Sequence, residues 1–139
     1  MAVEITGTYR PGLKMDIVHG PSEAVIRTAA PVDNKGDGSS FSPTDLLAAA
    51  LGGCAVTTMA IWAEKEGIPF EGASFHVEKH MRAGPRRVDS LPLRIRLSDG
   101  LTGEQRAYLE NVARSCPVAL SLLPAIEVRM VFEYGVVEG

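Results

Sequence analysis

The longest apolar stretch of the chain covers residues 46–62, where almost every side chain is apolar or small. Ser42 is a suitable N-cap, Pro43 a suitable first helical residue and Gly67 a suitable left-handed stop. The pattern therefore predicts one long helix over residues 42–67. A helix that is apolar all round is buried all round, so we expect this helix to run through the centre of the fold.

Three short strands are predicted before this helix, at residues 3–9, 14–19 and 22–29, because apolar and polar side chains alternate there. A loop rich in glycine and serine follows at residues 31–41, and it is long enough to be mobile or to cover a site. The three strands contain few apolar side chains. We expect them to pair with later strands of the chain or with those of a second chain.

After the helix, residues 73–81 and 91–97 alternate again and predict an antiparallel hairpin with one solvated face. Five arginines in and around this hairpin form a basic cluster, interpreted as an exposed face: Arg82, Arg86, Arg87, Arg94 and Arg96.

A second, amphipathic helix is predicted to open at residues 101–105, where Thr102 and Gln105 fit a capping box, and to end at 115–117. A short helical turn at 118–123 and a last strand at 127–134 follow. The order of elements predicts an α+β fold with a single domain over residues 1–139.

Composition narrows the class of protein. Of 139 residues, 45% are apolar and 22% are charged, as in ordinary globular proteins, and the net charge of −3 does not favour a nucleic-acid or anionic-membrane partner. The amino terminus does not resemble a signal peptide, and the alanines, glycines and threonines of the apolar stretch make it a weak membrane span. We expect a cytoplasmic protein, in which two cysteines are free thiols or a working redox pair.

Cys54 lies near the middle of the predicted central helix, directly after Gly52 and Gly53. A buried cysteine is often inert. Two glycines inside a helix, however, cost on the order of 2 kcal/mol relative to alanine. Their presence indicates that another group approaches the helix closely, which is another helix, a second copy of the chain or a substrate.

Cys116 precedes Pro117, which can begin a helical turn. A thiol at that position faces free N–H groups and the positive end of a helix dipole, which lower a thiol's pKa. The alternative is a buried thiol at a bend. The 62-residue separation of the two cysteines is not a metal-binding spacing.

Other candidate residues favour structural roles. His76 and His80 lie on one strand face with Glu78 between them, roughly 13 Å apart in an extended strand, which is too far to share one ion. Solvated surface is therefore the preferred interpretation. Met59, Trp62 and Tyr108 are interpreted as core packing.

Two motifs together point to a family. The run Ser42-Pro43-Thr44-Asp45-Leu46-Leu47-Ala48-Ala49-Ala50-Leu51-Gly52-Gly53-Cys54, followed by Ser115-Cys116-Pro117-Val118, resembles the OsmC/Ohr family of thiol peroxidases. The resemblance implies an OsmC-like fold, with antiparallel sheets wrapped around a long buried central helix in an intertwined homodimer. It also implies reduction of organic or inorganic hydroperoxides without metal or flavin.

The same resemblance implies roles for individual residues. Cys54 would attack the peroxide, Cys116 would resolve the sulfenic acid, and an external thiol would regenerate both. Because burial raises a thiol's pKa, a cation is needed beside the reactive sulfur. The family uses an arginine held by a glutamate. Arg27 suits the OsmC pattern and Arg10 the Ohr pattern.

The chain departs from the family at the glutamate, whose position is occupied by Thr44. Threonine cannot form an ion pair with an arginine. A competing hypothesis is therefore a small-ligand-binding or stress-associated protein on the same scaffold, with weak or no turnover. In a third interpretation both cysteines are inert core residues.

Overall fold

The computed structural model describes residues 1–135 and shows two compact units, Met1–Leu47 and Ala48–Gly139. The first contains a three-stranded sheet. The second contains a four-stranded sheet, two shorter helices and most of the long helix. The mixed α+β composition agrees with the sequence. The single-domain organisation stays a prediction.

The first sheet is built from β1 (Ile5–Arg10), β2 (Lys14–His19) and β3 (Val25–Ala29), paired antiparallel in chain order. The three strands were expected to pair with later strands or with a second chain. Within this chain they pair with one another instead, because tight turns join consecutive strands. The loop after β3 contains a short 3-10 turn at Val32–Asn34.

Opposite faces of this sheet differ in chemistry. Paired residues of neighbouring strands point to the same face of a sheet. The β1–β2 and β2–β3 registers therefore place five apolar side chains on one face: Ile5, Tyr9, Met15, Ile17 and Ile26. Arg10, Asp16 and Arg27 lie on the other face. The first sheet is thus amphipathic.

The long helix, α1, runs over Pro43–Lys65, as the sequence predicts. Ser42 Oγ accepts a hydrogen bond from the Asp45 backbone N–H at 3.1 Å, and the Asp45 carboxylate accepts one from the Ser42 N–H at 2.8 Å. These reciprocal bonds satisfy free donors at the start of the helix. Gly67, just beyond the end of α1, has the expected left-handed conformation (φ +65°).

Burial of α1 differs from the prediction. Its buried residues follow a helical repeat along one face: Ala48, Leu51, Gly52, Ala55, Met59 and Ala63. Ile61 and Trp62 are 48% and 39% exposed. Within a single chain, α1 is therefore buried along one face and not all round. α1 is long and apolar enough to cross a membrane, but the core helix of a globular protein can have the same length and composition.

The second sheet contains β4 (Ser74–Val77), β5 (His80–Arg82), β6 (Arg87–Leu97) and β7 (Glu127–Tyr134). β4 and β5 pair antiparallel with β6, which confirms the hairpin. β7 pairs with β6 in parallel. The sheet is therefore mixed, whereas antiparallel sheets were expected, because the two helices between β6 and β7 return the chain to the same end of the sheet.

Those helices are α2 (Gly103–Arg114) and α3 (Pro117–Leu122). The predicted capping box is present: Thr102 Oγ1 accepts from the Gln105 backbone N–H at 3.1 Å, and the Gln105 side chain accepts from the Thr102 N–H at 2.9 Å. Alternate residues of β6 are fully buried: Leu91, Leu93, Ile95 and Leu97. Together with the buried face of α1 and with Leu109 and Ala113 of α2, they form the core of the second unit.

Candidate active site

Cys54 is a half-buried residue of α1. Its Sγ lies 3.8 Å from Thr58 Oγ1, one helical turn further along. The two preceding glycines have different surroundings. A Cβ on Gly52 would lie 2.3 Å from the Phe75 ring, whereas a Cβ on Gly53 would meet nothing within 4 Å in this chain. The close approach expected at the glycine pair is thus made at Gly52 by a ring of strand β4 and not by another helix, and Gly53 faces open space.

Cys116 is the N-cap residue of α3 and is fully buried, with 0% of its surface exposed. The sequence left open a helix N-terminus or a buried thiol, and the structure combines both. Burial raises the pKa of the Cys116 thiol, backbone N–H groups of Ala119 and Val118 lower it, and a side-chain hydrogen bond with Cys54 raises it again. The net pKa is raised. The lowering expected from the helix terminus is therefore outweighed, chiefly by burial.

The Cys54 side chain is one of the groups that raise the pKa of Cys116, so the two thiols lie close together within the second unit. The two residues are separated by 62 positions in the chain, and the second unit brings together the middle of α1 and the start of α3. Both are free thiols. Two thiols in contact can be oxidised to a disulfide by any two-electron oxidant that reaches one of them.

An open groove of about 370 Å³ lies beside this pair. Five residues line the groove: Thr58 and Trp62 of α1, Tyr108 and Val112 of α2, and Ser115, which precedes Cys116. Trp62 and Tyr108 were interpreted as core residues, but they line this groove, and only Met59 of that group is buried. Their mixed apolar and hydroxyl surfaces suit a small organic molecule that ends in a polar group.

The two arginines that the sequence proposed as thiolate partners contact one carboxylate in the first unit. Asp16 accepts hydrogen bonds from Arg27 Nε at 2.6 Å and Nη2 at 3.0 Å, and from Arg10 Nε at 2.8 Å. The contacts with Arg27, and then those with Arg10, hold the pKa of Asp16 well below its usual range. Sequence reasoning did not single out Asp16. The sequence did contain a signal for this contact. If the turn between β2 and β3 joins two antiparallel strands, residue 16 pairs with residue 27.

Thr44, at the position of the family's glutamate, has a neutral hydroxyl 3.2 Å from Ser42 Oγ. Its contact with Ser42 is part of the start of α1, together with Asp45. Thr44 therefore supplies no negative charge that could hold an arginine.

The histidines behave as surface groups. Glu78 Oε1 lies 2.9 Å from His80 Nε2, and Glu78 Oε2 lies 3.7 Å from His76 Nε2. All three side chains are more than half exposed. Within residues 1–135, no group of three or more potential ligands is arranged to hold a metal ion.

The fold and the two neighbouring thiols define the class of protein. It is an α+β protein in which a cysteine on a long helix lies next to a second cysteine at the N-terminus of a short helix. The family of OsmC-like proteins matches residues 36–131. The chain belongs to this family. Comparison of the sequence with curated proteins gives no significant match.

Solved structures agree with this assignment. A Psychrobacter arcticus protein, named for osmotic stress induction and detoxification response, is 37% identical with a TM-score of 0.88, over 93% of this chain and 94% of that one. An organic hydroperoxide resistance protein OsmC from Legionella pneumophila has 18% identity, a TM-score of 0.73 and 98% coverage of both chains. The OhrB protein of Bacillus subtilis, also named for organic hydroperoxide resistance, has 14% identity and a TM-score of 0.69, with coverage of 96% and 98%. The last two show likeness of fold alone.

Proposed function

We propose that this protein is a thiol-dependent peroxidase that reduces organic or inorganic hydroperoxides through Cys54 and Cys116. The observation that carries the proposal is the proximity of the two free thiols, which come from distant parts of the chain. Membership of the OsmC-like family supports it, as do the organic hydroperoxide resistance proteins among the solved structures of the same fold.

The first step belongs to Cys54, which is the more accessible thiol. Its thiolate attacks the terminal peroxide oxygen, the O–O bond breaks, and the departing alkoxide takes up a proton to leave as an alcohol. The sulfur is oxidised to a sulfenic acid. Cys116, whose pKa is raised chiefly by burial and also by the neighbouring Cys54 side chain, keeps its proton and leaves the attack to Cys54.

The second step belongs to Cys116. Its sulfur attacks the sulfenic sulfur of Cys54, a disulfide forms, and the hydroxyl group leaves as water with the proton of the thiol. An external thiol or dithiol then reduces the disulfide by exchange and supplies two electrons per turnover. No resident cofactor is required for this sequence.

The cation that favours the Cys54 thiolate is proposed to be Arg27, with Arg10 as the alternative. A guanidinium remains charged at every physiological pH, and the contact with Asp16 raises the pKa of Arg27 further. In an assembly that brings it to the thiols, it would stabilise the thiolate that attacks and the alkoxide that leaves.

A homodimer in the cytoplasm is the proposed assembly. Within the second unit, Ile61 and Trp62 of α1 remain exposed, and the space beside Gly53 is open. Within the first unit, the apolar face of the sheet includes Ile5 and Tyr9, which are also exposed. A second copy of the chain would cover such surfaces. Neither a nucleic acid nor a membrane is a proposed partner.

A second candidate function is the binding of a small ligand without turnover, on the OsmC scaffold. The groove beside the thiols favours it, because its size and mixed lining fit a small organic molecule. The threonine at position 44 also favours it, since this chain lacks the family's glutamate.

Steady-state consumption of thiol in the presence of cumene hydroperoxide separates the two functions. Wild type should consume dithiol in proportion to peroxide, Cys54→Ser should be inactive, and Cys116→Ser should react once and fail to recycle through the internal disulfide. Thr57→Ser, an exposed change on α1, is a control. Equal rates for wild type and Cys54→Ser would remove the peroxidase and leave the binding function.

A further inference from the structure

Thr58 lies one helical turn after Cys54 on α1, with its hydroxyl beside the sulfur. The distance from Thr58 Oγ1 to Cys54 Sγ is 3.8 Å, which is within reach of a hydrogen bond to sulfur. Residues four apart on an α-helix share one face, so this contact is internal to a single helix. The neighbouring Thr57 is turned by about 100° and is exposed. Of the two adjacent threonines, Thr58 is thus the one whose hydroxyl meets the sulfur.

The direction of this hydrogen bond depends on whether Cys54 carries its proton. In the thiol state either group can donate, whereas a thiolate has no proton and can only accept. The hydroxyl of Thr58 supplies the O–H donor that the thiolate then needs. Hydrogen bonds to an ionised acceptor are shorter and stronger than those between neutral groups. A donor in this place therefore interacts more strongly with the thiolate than with the thiol.

The hydroxyl of a helical threonine has a competing partner in the backbone. It can donate to the carbonyl oxygen four residues earlier, which for Thr58 is the carbonyl of Cys54 itself. The branched Cβ limits the side chain to a few staggered orientations. The orientation in the structure brings the hydroxyl to the sulfur of Cys54. A purely structural role, in which the hydroxyl serves only the helix backbone, is the alternative that an experiment must separate.

Thr58 also lines the open groove beside the thiols. Trp62, one turn further along the same face of α1, lines the groove as well, and so does Ser115, the residue before Cys116. A peroxide that enters the groove therefore meets the hydroxyl of Thr58 next to the sulfur that it oxidises. Thr58 is half-buried, and partial shielding from water strengthens a hydrogen bond to an anion.

We infer that Thr58 is a catalytic residue of the proposed peroxidase, whose hydroxyl donates to the Cys54 thiolate before the thiolate attacks. The inference rests on the proposed function, because it concerns the sulfur that reacts there. Thr58 keeps its proton while the sulfur forms the S–O bond and the O–O bond breaks. The departing alkoxide is protonated by solvent, which the open groove admits.

The pH dependence of alkylation distinguishes this role from a structural one. Thr58→Val keeps the branched shape and a similar helix propensity but removes the donor. At pH 7, iodoacetamide should modify Cys54 about 3-fold to 10-fold more slowly in Thr58→Val than in wild type, because less thiolate is present. At high pH, where Cys54 is ionised in both proteins, the variant should react at least as fast, since a thiolate without the donor is the stronger nucleophile.

Two further variants complete this measurement. Thr58→Ser retains a hydroxyl and should follow the wild-type profile. Thr57→Val makes the same change at the exposed neighbouring position and is the matched control, so its profile should also equal that of wild type. Peptide mapping by mass spectrometry after timed quenching separates the reaction of Cys54 from that of Cys116 in the intact chain.

Reaction with cumene hydroperoxide is the second readout, followed by stopped flow with Trp62, the only tryptophan, as the fluorescent reporter. The second-order rate constant at pH 7 should fall about 3-fold to 10-fold in Thr58→Val and stay unchanged in Thr57→Val. A wild type that consumes no peroxide, but whose alkylation profile crosses that of Thr58→Val, would remove the proposed function and leave the contact with the thiolate. Coincident alkylation profiles for these two proteins, or a slower variant at every pH, would overturn the inference.

Discussion

Cys116 is the residue at which two physical effects compete most directly. Backbone N–H groups at the start of α3 favour its thiolate, and its burial favours the thiol. The raised pKa means that the thiol remains protonated at neutral pH. In the proposed reaction, a protonated, buried thiol does not compete with Cys54 for peroxide, so the surroundings of Cys116 suit it to the second step.

Alkylation tests this contrast at single residues. In Cys54→Ser, reaction of Cys116 with iodoacetamide should begin at a higher pH than reaction of free cysteine, because the raised pKa keeps the unreactive thiol form present over a wider range. In Cys116→Ser, Cys54 should react faster than Cys116 at neutral pH. Mass spectrometry after timed quenching gives both rates. Equal rates for the two cysteines at pH 7 would contradict the assignment of roles.

The sequence was more informative about local structure at the two cysteines than about their environments. Pro117 correctly indicated that Cys116 begins a helix, because proline at the first helical position is a local signal. The burial of that thiol depends on distant segments that pack over it and has no local signal. The ion pairs of Asp16 were missed because only the pairing between strands places both arginines around it.

At the scale of elements, α1 combines a tightly packed face with an open one. Gly52 allows the Phe75 ring of β4 to approach the helix backbone, and Gly53, one residue later, faces open space. The pattern of apolar residues predicted the helix but not this division, because alanine and glycine fit equally well against a neighbour or beside a gap.

The two glycines form a matched pair for a stability measurement. Alanine at either position gains about 1 kcal/mol in helix propensity. At Gly52 the added methyl overlaps the Phe75 ring, and such overpacking costs about 1–3 kcal/mol, so Gly52→Ala should lower the free energy of unfolding relative to Gly53→Ala by about that amount. Urea denaturation of both variants measures the difference. Equal stabilities would show that the ring moves away without cost.

For the whole molecule, the exposed apolar surfaces of each unit are the ones that the proposed homodimer would cover. The sequence predicted a central helix apolar all round, and a single chain buries only one of its faces. A pattern along the chain cannot distinguish a surface covered by the same chain from one covered by a second copy. The proposed dimer would cover the exposed face of α1 and so bury the helix on all sides, as the sequence predicts.

Oligomeric state is therefore a test at this scale. Sedimentation velocity at micromolar concentration should give a dimer for wild type. Gly53→Leu places a large side chain where this chain has open space, so it should shift the protein toward monomer if a second copy packs there. Glu64→Gln, at an exposed position of the same helix, is the control. A monomeric wild type, or a Gly53→Leu variant that is fully dimeric, would contradict the proposed interface at Gly53.

The most direct test of the account is the mass of the protein after one equivalent of cumene hydroperoxide. Cys54 and Cys116 should lose two hydrogen atoms and form an intramolecular disulfide, which peptide mapping identifies as the bond between these two residues. Cys116→Ser should instead gain one oxygen atom at Cys54. A wild-type protein that keeps the mass of the reduced dithiol, while the peroxide remains unconsumed, would contradict the central claim that the two neighbouring thiols form a working redox pair.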